Sequence, residues 1–183
     1  GLAQAGSGDA PGLALNPAPL YRVPLFAGLS IALCAPAVGM AAGMLDDFLA
    51  ATSGRATVGG IENQPKRMAE LPAIQLRAAE AACAIDAARL VVLRDCRDIM
   101  ASVATGGCEL SALARARNKA DLAYATRLVL DAAEALFRAS GGNGLFRSNR
   151  LQRAWRDLTA AAMHVSLNWD ASGTNFGRLL LGL

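Results

Sequence analysis

The stretch Leu71–Val103, LPAIQLRAAEAACAIDAARLVVLRDCRDIMASV, decides the fold. Its apolar residues recur at spacings of three or four, with charged residues between them, which is the pattern of an amphipathic α-helix. The pattern predicts a helix of about nine turns that ends at Gly106-Gly107. The apolar series consists of Leu71, Ile74, Ala78, Ala81, Ile85, Ala88, Val92, Cys96, Ile99 and Val103.

A predicted helix precedes this stretch, from about Pro19 to Ala51, with Ser53-Gly54 as its end. Pro36 is expected to kink or break it, because proline cannot donate the backbone hydrogen bond of a helix. Residues 54–65, which contain Gly59-Gly60, are expected to form a loop.

Two predicted helices follow it. Helix three begins after Cys108 and stops at Ser140-Gly141-Gly142, and helix four begins near Ser148. The apolar stripe of helix three consists of Leu110, Leu113, Ala116, Ala120, Tyr124, Leu128 and Ala132; that of helix four consists of Leu151, Trp155, Leu158, Ala162 and Val165.

The composition favours an all-α fold, because 54% of the residues are hydrophobic but only 5% are aromatic, and alanine supplies much of the remainder. Long helices joined by short glycine-containing loops predict an up-and-down four-helix bundle. Residues 1–18, rich in Gly, Ala and Pro, are expected to be a linker or lead-in, and residues 19–183 the bundle domain.

The segment Val23–Leu45 carries no charge and is long enough to cross a membrane. It also contains two prolines and three glycines, and many of its apolar residues are alanine. We therefore expect a helix buried in a protein rather than a membrane span, and such a helix requires partners on every side. The N-terminus lacks the basic region and cleavage site of a secretory signal.

The charges and the cysteines argue against two classes of partner. The net charge is +3, and acidic residues alternate with basic ones, as in Arg94-Asp95-Cys96-Arg97-Asp98, which indicates a solvated helix face rather than a nucleic-acid surface. The four cysteines form no CxxC pair and have no neighbouring histidine, so a metal site is not expected. Reduced thiols in the cytoplasm are the simpler interpretation.

His164 is the one histidine of the chain and therefore the natural candidate for proton handling near neutral pH. If helix four continues to residue 168, Arg153, Asp157, Ala160, His164 and Asn168 share one polar face. An ordinary surface histidine among helix charges fits the same spacing.

The loop Ser140-Gly141-Gly142-Asn143-Gly144 is a second candidate site, because glycines permit close backbone approach to a phosphate. A flexible helix connection is the alternative interpretation. Gln75 and Arg22 are polar groups whose spacing indicates nothing specific.

Several motifs taken together resemble the flavin-dependent monooxygenase branch of the acyl-CoA dehydrogenase superfamily. They are the glycine loop at Ser140–Gly142, the segment Leu151-Gln152-Arg153-Ala154-Trp155-Arg156-Asp157, and His164 after it. Leu71–Gln75 and Ile85–Arg89 resemble the second helix of that family's C-terminal bundle. The resemblance extends from about Pro19 onward.

This resemblance implies a C-terminal four-helix bundle that follows a helical domain and a β-domain and assembles as a homotetramer. It also implies that a separate reductase supplies reduced flavin, FMN or FAD, and that a small aromatic substrate is hydroxylated through a C4a-hydroperoxyflavin. By residue match, His164 would be the catalytic base or hydrogen-bond partner of the substrate. Gly141 and Gly142 would approach flavin phosphate or ribose from the adjacent subunit, and Gln75 and Arg22 would have similar cofactor-binding roles.

Two alternatives remain at this point. An acyl-CoA dehydrogenase-like oxidoreductase acting on CH–CH groups would require a carboxylate base, and no glutamate here matches that role. At 183 residues the chain is too short to include the upstream domains, so it is expected to be a fragment of a longer flavoenzyme that is inactive in isolation. A non-catalytic helical oligomerisation module is the other interpretation of this length.

Overall fold

The computed structural model describes residues 11–58, 65–104 and 110–183. Within these ranges the chain forms five α-helices and a two-stranded hairpin. The elements in chain order are α1 (Leu25–Ser53), β1 (Ala56–Val58), β2 (Pro65–Arg67), α2 (Pro72–Ala104), α3 (Ala112–Ala139), α4 (Arg150–Ala162) and α5 (Trp169–Leu180). The predicted all-α bundle is confirmed, with α5 added to it.

The α2 helix agrees with its predicted apolar stripe. Ile85, Val92 and Ile99 are buried against the other helices, as the three-and-four spacing requires. The predicted end at Gly106-Gly107 lies outside the described residues. One buried position, Asp95, is a carboxylate that the apolar pattern did not reveal.

The α3 helix is the centre of the bundle, because it packs against α1, α2, α4 and α5. The predicted single stripe on it is wrong in part: Leu113 and Tyr124 are 47% and 44% exposed. A helix with neighbours on several sides buries more than one face. Its buried residues are Ala116, Asn118, Ala120, Leu122, Ala123, Ala125, Thr126, Val129, Ala132, Ala133 and Leu136.

The α1 helix begins at Leu25 rather than near Pro19, because Pro19–Arg22 forms a separate 3₁₀ turn. It then runs through Pro36 to Ser53, so the predicted break does not occur. Proline removes one backbone donor, and the long helix tolerates this at a position where the ring is exposed.

The α1 helix is also the one helix of the described chain that is long and apolar enough to cross a membrane. In this structure its buried residues Cys34, Met44 and Phe48 belong to the bundle core. Only 28% of its most apolar window is buried, however. A large apolar surface of α1 is therefore uncovered in the single chain.

A short hairpin replaces part of the predicted loop at residues 54–65. Strands β1 and β2 pair antiparallel, with Ala56 opposite Arg67. The Met68 backbone N–H donates to the Arg55 carbonyl at 2.8 Å and extends this contact. Gly59-Gly60 lie outside the described residues. The chain before α1 forms a 3₁₀ turn at Pro11–Ala14, and residues 1–10 of the predicted lead-in also lie outside them.

The predicted fourth helix ends earlier than expected, and a further helix that was not predicted follows it. The first, α4, ends at Ala162, and the second, α5, begins at Trp169. The Asn168 side chain accepts the Ala171 backbone N–H at 2.9 Å, which caps the start of α5. Val165, which was expected in the core, is 79% exposed in the turn between them.

Candidate functional site

His164 lies in the turn that joins α4 to α5, not on a continuous helix as predicted. Its side chain is exposed, and it caps the 3₁₀ turn Val165–Leu167. The polar face predicted from Arg153 through Asn168 therefore does not exist beyond Ala162. Arg153 and Asp157 form an ion pair with each other on α4, at 3.5 Å.

The hydrogen bond that His164 accepts as a cap determines which ring nitrogen carries the proton of the neutral imidazole. The Ser166 backbone N–H donates to Nδ1 of His164 at 3.2 Å, so Nδ1 must carry a lone pair. The neutral ring then carries its proton on Nε2. In this geometry His164 presents an N–H donor to an outside group rather than a free basic nitrogen.

An open groove of about 440 Å³ lies beside the His164 turn, between α3 and the start of α5. Thr126 and Arg127 of α3 line one side, and Asn168, Trp169 and Asp170 line the other. The Trp169 ring is held by Tyr124, with ring centroids 5.1 Å apart. It also lies against Gly173, where a Cβ would approach the indole to 3.1 Å. An aromatic wall with a few polar groups suits a small organic ligand.

The glycine loop forms a 3₁₀ turn, Gly141–Leu145, between α3 and α4. Gly141 has φ +67°, a conformation that favours glycine. The space around the missing Cβ atoms of Gly141 and Gly142 is open to 4 Å, whereas Gly144 is buried against Ser140 and Phe137. The loop therefore has an exposed glycine part and a packed glycine part.

One arginine side chain contacts this loop, and two further arginines follow the loop in sequence. Arg55 donates from Nη1 to the Ser140 carbonyl at 3.1 Å, and Arg150 pairs with Asp47 at 3.2 Å. Arg147 follows the loop in sequence and is exposed. Exposed glycine backbone next to the Arg55 guanidinium suits the phosphate of a nucleotide cofactor. The residues present therefore fit the phosphate part of a flavin nucleotide.

Gln75 and Arg22 belong to different elements of the fold. Gln75 is in the first turn of α2, where its Nε2 donates to the Ala69 carbonyl at 2.9 Å. Arg22 ends the 3₁₀ turn that packs on α2 before α1 begins.

The two candidate sites lie at opposite ends of α4. The glycine loop precedes Arg150 and the His164 turn follows Ala162, so the 13 residues of α4 separate them. At 1.5 Å per residue this corresponds to about 20 Å. One chain therefore does not bring the glycine loop and His164 to one small pocket.

A buried polar cluster between α2 and α3 escaped the sequence analysis. Arg94 pairs with Asp95 at 3.0 Å and also with Asp121, and Asn118 donates to Asp95 at 3.2 Å. Burial raises the pKa of Asp95 to about 6, against the lowering influence of the Arg94 hydrogen bond. An Asp in a run of alternating charges gives no signal that it faces the core.

Among the described residues there is no group of three or more His, Cys, Asp or Glu side chains that could hold a metal ion. Cys34, Cys83 and Cys96 are free thiols, and burial raises the pKa of the Cys34 thiol. Cys108 lies outside the described residues.

The fold and the loop positions define the class: an α-helical C-terminal domain of the acyl-CoA dehydrogenase type. The model of the family "Acyl-CoA dehydrogenase, C-terminal domain" matches residues 31–169. The chain belongs to this family.

Two curated relatives are oxygenase components. The FADH(2)-dependent resorcinol hydroxylase, oxygenase component, of Rhizobium sp. (strain MTP-10005) is 40% identical over 167 residues, covering 90% of this chain and 41% of the relative. The flavin-dependent monooxygenase, oxygenase subunit HsaA, of Mycobacterium tuberculosis is 32% identical over 181 residues, covering 94% and 43%. The chain thus spans less than half the length of these relatives.

Solved structures of related proteins have the same helical fold as this chain. The 3-HSA hydroxylase from Rhodococcus sp. RHA1 superposes with a TM-score of 0.87 at 29% identity, covering 100% of this chain and 46% of that one. The acyl-CoA dehydrogenase from Geobacillus kaustophilus reaches a TM-score of 0.69 at 21% identity over 85% of this chain and 37% of its own, which shows the fold alone. Because both curated relatives are named as oxygenase components, the dehydrogenase and scaffold alternatives are not favoured.

Proposed function

We propose that this chain is the C-terminal domain of a reduced-flavin-dependent monooxygenase that hydroxylates a small phenolic substrate. The 40% identity to the oxygenase component of a resorcinol hydroxylase, over 90% of the chain, carries the proposal. A substrate of that class is a planar aromatic ring with hydroxyl groups. The groove beside His164 provides an indole wall and polar neighbours that suit such a ring.

Reduced flavin, when bound, supplies the electrons with which molecular oxygen is activated for insertion of one oxygen atom. A separate flavin reductase and reduced FMN or FAD complete the system we propose. Gly141 and Gly142 would hold a flavin phosphate or ribose through their exposed backbone. Gln75 and Arg22 would contribute at the edge of the cofactor.

We assign to His164 the role of hydrogen-bond donor to the substrate oxygen. Because Nδ1 accepts from Ser166, the proton of the neutral ring is on Nε2, where a phenol or phenolate oxygen can receive it. Proton abstraction by Nε2 would require the other tautomer, and that tautomer would lose the Ser166 contact. The structure thus favours one of the two roles that the resemblance implied.

The proposal includes a homotetramer, because the glycine loop and His164 are about 20 Å apart along α4 in one chain. A cofactor site assembled from two subunits would bring one chain's glycine loop to another chain's His164 turn. The uncovered apolar surface of α1 supports such assembly. We also propose a cytoplasmic location, which the free thiols support.

The test uses the protein as its gene encodes it, supplied with a flavin reductase, NADH, FAD or FMN, oxygen and resorcinol. We expect oxygen-dependent formation of a hydroxylated product. His164→Ala should lower kcat by at least about tenfold, while His164→Gln should retain part of the rate because its amide N–H can still donate. The Arg156→Gln variant is the surface control on α4.

Three other results would contradict either the donor role of His164 or the proposed function as a whole. Equal losses in His164→Ala and His164→Gln would indicate a base rather than a donor. Unchanged turnover in His164→Ala would remove the residue from the mechanism. Failure of any phenol to be hydroxylated while flavin is reduced and oxygen is present would contradict the proposed function.

A further inference from the structure

The α2 helix has a second regular face, opposite the one it buries. Nine positions on this outer face are separated alternately by three and four residues, and all of them are exposed. This is the heptad spacing of a coiled-coil seam, kept over four heptads. We call this set the α2 seam; it consists of Leu76, Ala79, Cys83, Asp86, Leu90, Leu93, Arg97, Met100 and Ala104.

The α2 seam is mostly apolar although its side chains are exposed in the described chain. Leu76, Leu90 and Leu93 are 51%, 60% and 40% exposed, and Met100 is 36% exposed. Leucines at heptad positions on a solvent face are costly unless another surface covers them. The seam therefore requires a partner.

Two charged residues interrupt the seam, Asp86 and Arg97. They are 11 residues apart, about 16 Å along the helix, and so cannot pair within one chain. Within the residues that the structure describes, neither takes part in an ion pair with another side chain. They have opposite signs, and each lies four residues from the central pair, Asp86 before Leu90 and Arg97 after Leu93. This symmetry indicates the identity of the partner.

We propose that the α2 seam pairs with the α2 seam of a second copy of this chain, in antiparallel orientation. The two-fold axis passes between Val91 and Val92. Leu90 then lies opposite the partner's Leu93, and Asp86 lies opposite the partner's Arg97. Cys83 lies opposite the partner's Met100, and the small residues Ala79 and Ala104 meet at the ends of the paired stretch. Leu76 lies beyond this stretch.

The charges exclude the neighbouring arrangements. A parallel, in-register pair would place Asp86 against the partner's Asp86 and Arg97 against the partner's Arg97, which like-charge repulsion disfavours. A shift of one heptad in the antiparallel pair would place Asp86 against an apolar residue, either Leu90 or Ala104. In the proposed register both charges are compensated and the four central leucines pack together.

This inference deepens the proposed homotetramer, because it names one of its two-fold interfaces and the residues that form it. It does not require flavin, and so its test is independent of the proposed oxygenase activity. A segment outside these residues is the competing occupant of the seam, since the relatives are more than twice as long as this chain.

The first experiment is cysteine cross-linking in the protein as its gene encodes it. A Met100→Cys substitution in a Cys108→Ser background places a thiol opposite the native Cys83 of the partner. Mild oxidation should give a covalent dimer, with the disulfide mapped to position 100 and Cys83 by mass spectrometry. Within one chain these positions are 17 residues apart, about 25 Å, and cannot join.

Two matched controls define the register. Asp98→Cys in the same background places the thiol on α2 but away from the seam, and should give no cross-link. Cys83→Ser combined with Met100→Cys should abolish the cross-link. A cross-link that forms equally from position 98, or none from position 100, would overturn the proposal.

The second experiment reverses the charges. Arg97→Asp places two carboxylates together and should raise the dissociation constant of this interface by about tenfold or more, as should Asp86→Arg. The double reversal Asp86→Arg with Arg97→Asp should restore association to near the wild-type value. Analytical ultracentrifugation without flavin measures these constants, and circular dichroism confirms that each variant is folded.

Recovery in the double variant is specific to pairing between copies. If another segment of the chain covers the seam, single reversals would leave the oligomeric state unchanged, and the inference would be wrong. A protein that sediments as a monomer before any substitution would also contradict it.

Discussion

The indole N–H of Trp155 on α4 donates to Oε2 of Glu134 on α3 at 2.5 Å. The same indole stacks on Phe137 with ring centroids 4.5 Å apart and planes 5° from parallel. Arg138 holds the other carboxylate oxygen of Glu134 at 2.6 Å, and its hydrogen bond, together with that of Trp155, lowers the pKa of the Glu134 carboxyl. The relationship fixes α4, and with it the position of the His164 turn, on the central helix.

Replacing Trp155 by Phe tests this contact. The variant keeps an aromatic ring against Phe137 but loses the N–H donor, and we expect the free energy of unfolding to fall by about 1–2 kcal/mol. Urea unfolding at one fixed protein concentration measures the change. Glu80→Gln, in the exposed pair with Arg77, is the control and should change it by less than about 0.5 kcal/mol. An equal loss in the control would contradict the assignment.

Asp95 should make stability depend on pH. Its pKa is raised from 3.8 to about 6, so the folded chain holds a proton at pH 5 that the unfolded chain has released. The stability that this proton contributes is fully present below pH 4 and is lost as pH rises through about 6; the shift corresponds to up to about 3 kcal/mol. The wild-type protein should therefore lose stability relative to Asp95→Asn between pH 4 and pH 7.

The measurement is a series of chemical unfolding curves across this pH range. Asp98→Asn, an exposed neighbour on the same helix, serves as the control and should follow the wild type. If the difference between wild type and Asp95→Asn is constant over the range, Asp95 is already ionised in the folded chain at pH 4.

Gly144 should tolerate no side chain. A Cβ at this position would meet Ser140 Oγ at 2.1 Å, and Ser140 would have to give up its 2.6 Å hydrogen bond to the Phe137 carbonyl. We expect Gly144→Ala to cost about 1–3 kcal/mol in the free energy of unfolding. Gly142→Ala, whose Cβ would enter open space, should cost less than about 0.5 kcal/mol without flavin. Similar losses in both variants would disagree with this description of the loop.

Leu158 on α4 and Val165 in the turn after α4 differ in burial. Leu158 is fully buried and Val165 is 79% exposed. Leu158→Ala should destabilise the domain by about 2–5 kcal/mol through loss of packing, and Val165→Ala should change stability by less than about 0.5 kcal/mol. Thermal unfolding of the two variants at equal concentration compares them. A large effect of Val165→Ala would show that another subunit covers this turn.

The long helices could be predicted from the chain alone, because period and helix-ending glycines are local properties. The Leu71–Val103 pattern located α2 and its buried side almost entirely. The pattern was less informative for α3, where four neighbouring helices bury residues on several faces and exposed Leu113 and Tyr124 resemble core positions. Asp95 could not be predicted as buried, because its partner Asn118 comes from α3, 23 residues later.

The candidate site, like the fold, was predicted from the sequence only in part. Residue types and motif order in the sequence identified His164, Gly141 and Gly142 as candidates, and the family followed from the same motifs. The tertiary structure alone decided that α4 ends before His164 and that the Ser166 backbone N–H donates to Nδ1 of His164. At a helix end, hydrogen bonds from a cap or a turn compete with the hydrogen bonds that would continue the helix. The free-energy difference between these two arrangements is small, so the packing of the whole bundle decides which one forms.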